Sequence, residues 1–189
     1  MFWKLVIIAA LALAAPEVRV NWTRGGQSKA IRISIDNYDR RLLEECIQGG
    51  LEVRYVYEMR LCHKRWYWLD RCGQGRRETR SVQHDPISQT YRVATDRLGD
   101  RLPPKVASMT SLEQVFSNIS QIDELPLDVF NGEEHPVAVQ APSYVAVRVI
   151  SECQGQYSET LQQISYFLSL GLVRTSGFDS GWISFQLDR

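Results

Sequence analysis

From residue 18 onward, apolar and polar positions alternate. Val18, Val20 and Trp22 alternate with polar partners, Gly25-Gly26 interrupts, and Ile31, Ile33 and Ile35 resume the pattern. A period of two around a glycine break predicts a hairpin with one buried face. The period then lengthens. Asp39 can cap a helix that carries Leu42, Leu43, Cys46 and Ile47 on one side and ends at Gly49-Gly50, where glycine allows the left-handed turn. Next comes the longest β signal, with Leu51, Val53, Tyr55, Tyr57, Met59 and Leu61 on one face and Glu52, Arg54, Glu58 and Arg60 on the other. Neither Gly nor Pro occurs between Leu51 and Arg71. The strand is therefore expected to run on through Arg65-Trp66-Tyr67-Trp68-Leu69-Asp70, with a bulge as its interruption.

Glu78 to Gln83 and Thr90 to Thr95 predict a second hairpin about Asp85-Pro86-Ile87-Ser88, where proline presets the bend. Leu112, Val115, Phe116, Ile119 and Ile122 fall at helical spacing after Ser108 to Ser111, with Thr110 and Glu113 as the capping box and an end before Pro126. Gly132, Pro136 and Pro142 mark Phe130 to Pro142 as an exposed connection. Tyr144 to Ser151 is expected to be a strand, Ser158 to Gly171 a third helix through Leu161, Ile164, Phe167 and Leu168, and Trp182 to Leu187 a closing strand. About seven strands and about three helices result, the strands in consecutive hairpins. That order predicts an α+β fold, a mainly antiparallel sheet or sandwich-like arrangement.

Ahead of this pattern, Lys4 precedes an apolar run from Leu5 to Ala15 that ends in small residues, the layout of a cleaved secretory signal over residues 1–15. The run is about half the roughly 20 residues that span a bilayer, so an uncleaved inner-membrane anchor is the lesser alternative. Residues 16–189 then form a single globular domain in a periplasmic or envelope compartment. Hydrophobic residues at 44%, charged residues at 23% and a formal charge of zero are those of an ordinary folded domain, with no bulk pull toward nucleic acid. Arg71, Arg76, Arg77 and Arg80 cluster locally, and Gly73 and Gly75 among them point to a solvated loop.

Four cysteines, Cys46, Cys62, Cys72 and Cys153, form an even set in a chain read as exported, which makes them disulfide candidates with the pairing open. Buried free cysteine is the competing reading. On one continuous strand Cys62 and Cys72 would stand roughly 33 Å apart, whereas a disulfide requires Cα atoms within about 7 Å. Either the strand turns sharply or these two do not pair. The cysteine spacing and the scattered His63, His84 and His135 give no zinc pattern, and no cofactor motif is present. Asp70, His84 and Asp85 could meet at one end of the sheet for proton transfer, but the sequence supplies no nucleophile or oxyanion donor beside them. Tyr55, Tyr57, Met59, Phe116 and Phe167 could line an apolar pocket, or could be plain core. Arg65, Trp66, Tyr67 and Trp68 carry the residue types that anchor interfaces and form the candidate partner surface.

Gly50 opening the long strand, Arg65 to Asp70, Asp85-Pro86 to Tyr91, the Ser111-Leu112 helix start, Tyr144 to Val149 and Trp182 follow one another in an order and spacing that resembles the bacterial envelope family called domain of unknown function 4390. His84 stands where that family tends to have an aromatic residue and Ile87 where it tends to have leucine. The resemblance implies an exported bacterial protein, often encoded near sensor histidine kinase genes, with no assigned activity and no catalytic residues. The expectation is a non-catalytic module that binds an envelope protein, with a sensor-kinase system as one candidate partner. A carrier or sensor of an apolar small ligand comes second, and a hydrolase third.

Overall fold

The structure, a computed structural model, describes residues 16–25, 28–38, 40–65, 69–73, 75–98, 103–130, 143–154 and 177–186. The expected signal segment, the cap residue Asp39, Trp66 to Trp68 and the expected third helix lie outside the described residues, as does almost all of the expected connection from Phe130 to Pro142.

The described chain forms β1 (Glu17–Gly25), β2 (Ser28–Asp36), α1 (Arg40–Gln48), β3 (Glu52–His63), β4 (Arg71–Cys72), β5 (Arg76–Asp85), β6 (Thr90–Leu98), β7 (Lys105–Met109), α2 (Leu112–Ile119), β8 (Gln121–Pro126), a 3-10 turn (Leu127–Phe130), β9 (Ser143–Gln154), β10 (Gly177–Asp179) and β11 (Ile183–Gln186). Every strand pairing is antiparallel. A small sheet has the order β1-β2-β8; a large one runs β10-β9-β3-β5-β6-β7, with β11 also on β9 and β4 also on β3. The fold is α+β with open, mainly antiparallel sheets.

Register fixes which side of the large sheet is the core. Tyr57 lies opposite Val149 on β9 and Glu78 on β5, so one face carries Val53, Tyr55, Tyr57, Met59 and Leu61 of β3 beside Val145, Val147 and Val149. All of these are at most 3% exposed. Val18, Ile31, Ile33 and Ile35 of the small sheet, Leu43, Cys46 and Ile47 of α1, and Val115, Phe116 and Ile119 of α2 join the same apolar cluster. Burial of this set is the main favourable contribution to folding, at about 1.5–3 kcal/mol per large side chain. The Tyr57 hydroxyl donates to the Ile119 carbonyl, and burial raises its pKa. That bond pins α2 to the centre of the sheet.

Several local expectations hold for identifiable reasons. Gly50 has φ of 76° and donates to the Ile47 carbonyl, while Leu51 N–H reaches the Cys46 carbonyl, so α1 ends in the crossed hydrogen bonds of a Schellman motif. In the β5–β6 turn, Asp85 Oδ1 accepts from the backbone N–H groups of Ile87 at 2.9 Å and Ser88 at 3.4 Å. Those bonds hold the Asp85 carboxyl below the usual carboxylate range.

Three expectations are corrected. The long strand does not continue to Asp70: β3 stops at His63, and β4 returns antiparallel with Cys62 opposite Cys72. The cap of α2 is Ser111, whose hydroxyl accepts from Gln114 N–H, instead of Thr110, because Ser108 and Met109 are held in β7 against β6. Ile122 belongs to β8 and not to the helix. Ser120 ends α2 by donating to the Phe116 carbonyl, and β2 supplies an edge that β8 completes. The described strands number eleven against the expected seven, the additions being β4, β7, β8 and β10. Beside them stand two α-helices.

Candidate functional site

At the His63 end of β3 the chain leaves the sheet and returns as β4, making a loop of which Lys64, Arg65, Leu69 and Asp70 are described and exposed. Four contacts close it. Cys62 and Cys72 form a disulfide with Cα atoms 4.0 Å apart. Gly73 N–H donates to the Leu61 carbonyl at 2.8 Å. Asp70 accepts from Arg65 N–H at 3.4 Å through Oδ1 and from the Tyr144 hydroxyl at 2.8 Å through Oδ2. The bond to Asp70 raises the Tyr144 pKa, since the carboxylate favours the protonated phenol. Leu69, 93% exposed, stands on this closed loop. Of the expected contact set, Arg65 lies at the loop base, and Trp66, Tyr67 and Trp68 lie outside the described residues.

His63, the last residue of β3, is buried and hydrogen-bonded through Nδ1 to Ser143 Oγ at 2.7 Å. Its Nε2 is buried without a hydrogen-bond partner among the described residues. Burial and the neighbouring Arg71 both push its pKa down, favouring the neutral ring. Ser143 is itself buried, so this pair does not present a nucleophile to solvent.

The other two cysteines join α1 to β9, Cys46 to Cys153, with Cα atoms 6.3 Å apart and 107 positions between them in sequence. All four candidate cysteines are thus paired.

The arginine cluster read as a solvated loop is resolved differently. Arg76, Arg77 and Arg80 are on β5, and alternation turns Arg80 and Glu78 to the core face. Glu78, 2% exposed, holds Arg80 through Oε1 at 2.7 Å and Arg97 through Oε2 at 2.9 Å. Arg80 also donates to the carbonyls of Asn118 and of Gln121, the latter at 2.6 Å. A cation at these carbonyls complements the negative end of α2. This interior ion cluster was missed from sequence. Its signal was the period-two alignment of Glu78 and Arg80 with Val82, together with the hairpin register that sets Arg97 opposite Glu78.

Asp70, His84 and Asp85 are not brought together. Asp70 precedes β4 at the His63 end of β3, whereas Val82 pairs with Val53, which puts His84 and Asp85 beyond the opposite end. Twelve residues of strand separate those ends, on the order of 35 Å. Tyr55, Tyr57, Met59 and Phe116 are core residues at 1% exposure or less, and Phe167 lies outside the described residues. A cleft of about 270 Å³ between β5, β6 and β8 has Met59, Ile122 and Leu125 on its walls beside Arg76 and Arg97. A shallower one of about 480 Å³ lies along α2, walled mostly by polar side chains such as Glu113, Gln114 and Ser117.

Among the described residues, no group of three or more His, Cys, Asp or Glu side chains could hold a metal ion. No described helix is long and apolar enough to cross a membrane. No curated protein and no solved structure matches the chain significantly. The family model described as domain of unknown function (DUF4390) matches residues 18–143, from β1 to the first residue of β9, and the chain belongs to that family.

Proposed function

We propose that this chain is an exported envelope protein that acts by holding a protein partner and not by catalysis, and that the closed β3–β4 loop is its contact element. The observation that carries this reading is the exposed Leu69 on a loop fixed by a disulfide, two hydrogen bonds to Asp70 and the Gly73 backbone bond. A loop whose stems are pinned before binding loses less entropy when it docks, and a large apolar side chain in water gains on burial. The Trp66-Tyr67-Trp68 sequence adds the residue types that dominate interface energetics. Two disulfides are at home in an oxidising, extracytoplasmic compartment, which supports export. A sensor-kinase system remains the candidate partner that the family resemblance suggests.

The test is site-specific photo-crosslinking in cells of the native host. A photoreactive residue is placed at Leu69 or at Ile87, which is 94% exposed in the β5–β6 turn at the other end of the sheet. A discrete protein adduct from position 69 and none from position 87 is expected. Equal adducts, or none from position 69, would overturn the contact reading.

A further inference from the structure

We propose that the Cys62–Cys72 bond is a redox modification site, opened by a protein dithiol, and that its cleavage regulates the contact loop; the regulatory half rests on the reading of that loop given above. Two observations separate this bond from Cys46–Cys153. The first is access. Each bond has one buried partner, Cys62 at 1% and Cys46 at 6% exposure; the other partner is exposed in Cys72 on the two-residue β4 but half-buried in Cys153. Exchange rates follow access, so a thiolate arriving from solvent is expected to meet the Cys62–Cys72 bond first, from its Cys72 side.

The second is what each bond holds. Cys46–Cys153 ties α1 to β9 through the interior. Cys62–Cys72 joins residues already opposed in a ladder, beside the pair His63–Arg71 and the Gly73 to Leu61 hydrogen bond. Opening it leaves β3 in the sheet and removes the one covalent link among the four contacts that close the loop, leaving hydrogen bonds alone to hold its stems.

A thiolate of the dithiol forms a bond to Cys72 Sγ as the Cys62–Cys72 bond breaks, and Cys62 leaves as a thiolate that takes up a proton. The second sulfur of the dithiol then attacks the mixed disulfide and releases Cys72. Two electrons reach the protein disulfide, and the dithiol ends as a disulfide.

Graded dithiothreitol applied to the folded full-length protein, followed by alkylation and peptide mass spectrometry, tests the order of opening. Half-labelling of Cys62 and Cys72 is expected at a dithiothreitol concentration at least tenfold below that for Cys46 and Cys153. Joint reduction of both pairs, or Cys46–Cys153 opening first, would overturn the proposal. A second arm compares photo-crosslinking from position 69 before and after this partial reduction. A several-fold loss of adduct supports regulation, and an unchanged yield overturns it. No adduct in either state overturns the contact reading and the regulatory half with it, while the alkylation still decides the order of opening.

Discussion

The interior of the large sheet and its His63 end are built on opposite principles. Where β5 and β9 face α1 and α2, polar and covalent links run through the interior: Cys46–Cys153 crosses from helix to strand, and Glu78 holds two arginines at 2% exposure. Where β3 passes into β4, the disulfide runs from the buried Cys62, at 1% exposure, out to the exposed Cys72 and closes a loop whose described residues Leu69 and Asp70 are in solvent. A 107-position closure constrains the unfolded chain more than a 10-position one, by roughly 4–5 against 2–3 kcal/mol in the chain-entropy account. The first set of links therefore bears on whether the domain folds, and the second on the shape of one loop.

The largest test of this contrast falls on Glu78. Replacement by Ala strands Arg80, whose side chain is 11% exposed, and removes the partner of Arg97. Leaving a buried charge unpaired costs about 3–5 kcal/mol, so the melting temperature should fall by roughly 10 °C for a domain of this size. A drop of a degree or two, read by calorimetry, would mean that solvent reaches this cluster and that the two regions are less different than their burial indicates.

A much smaller effect is expected at the loop. Tyr144→Phe deletes the hydroxyl that donates to Asp70, a bond at an exposed site. The loss should be about 0.5–1 kcal/mol or less. In the same variant, photo-crosslinking from position 69 should weaken if Asp70 helps to fix the loop. A large loss of stability from Tyr144→Phe would tie the loop to the core and remove the contrast.

Much of the fold was legible from alternation alone. The β1–β2 hairpin, α1 with its Gly50 stop, the apolar face of β3 and the β5–β6 hairpin about Asp85-Pro86 follow from local rules that tertiary contacts reinforce. Illegible were elements whose existence depends on a distant partner. Ile122 continues a helical spacing, yet β2 draws it into β8; Lys105–Met109 is exposed along most of its length and shows no apolar alternation, yet β6 pairs it. The site was half legible. The composition of Arg65 to Trp68 marked a contact candidate, but alternation without a breaker suggested a continuous strand, and the reversal closed by Cys62–Cys72 leaves no local signal. Glu78 and Arg80 were hidden because charged residues on a strand are ordinarily assigned to the solvent face.

The central claim is that the β3–β4 loop is a display element hung on a core that does not depend on its disulfide. Backbone amide chemical shifts of the native protein and of a Cys62→Ser, Cys72→Ser double variant test it most directly. Shift changes are expected only at residues from about Arg60 to Gly73 and at the facing start of β9, with α1, β5, α2 and the Cys153 end of β9 unmoved. Shift changes spreading through α1 and β5, or collapse of the dispersed spectrum, would contradict it.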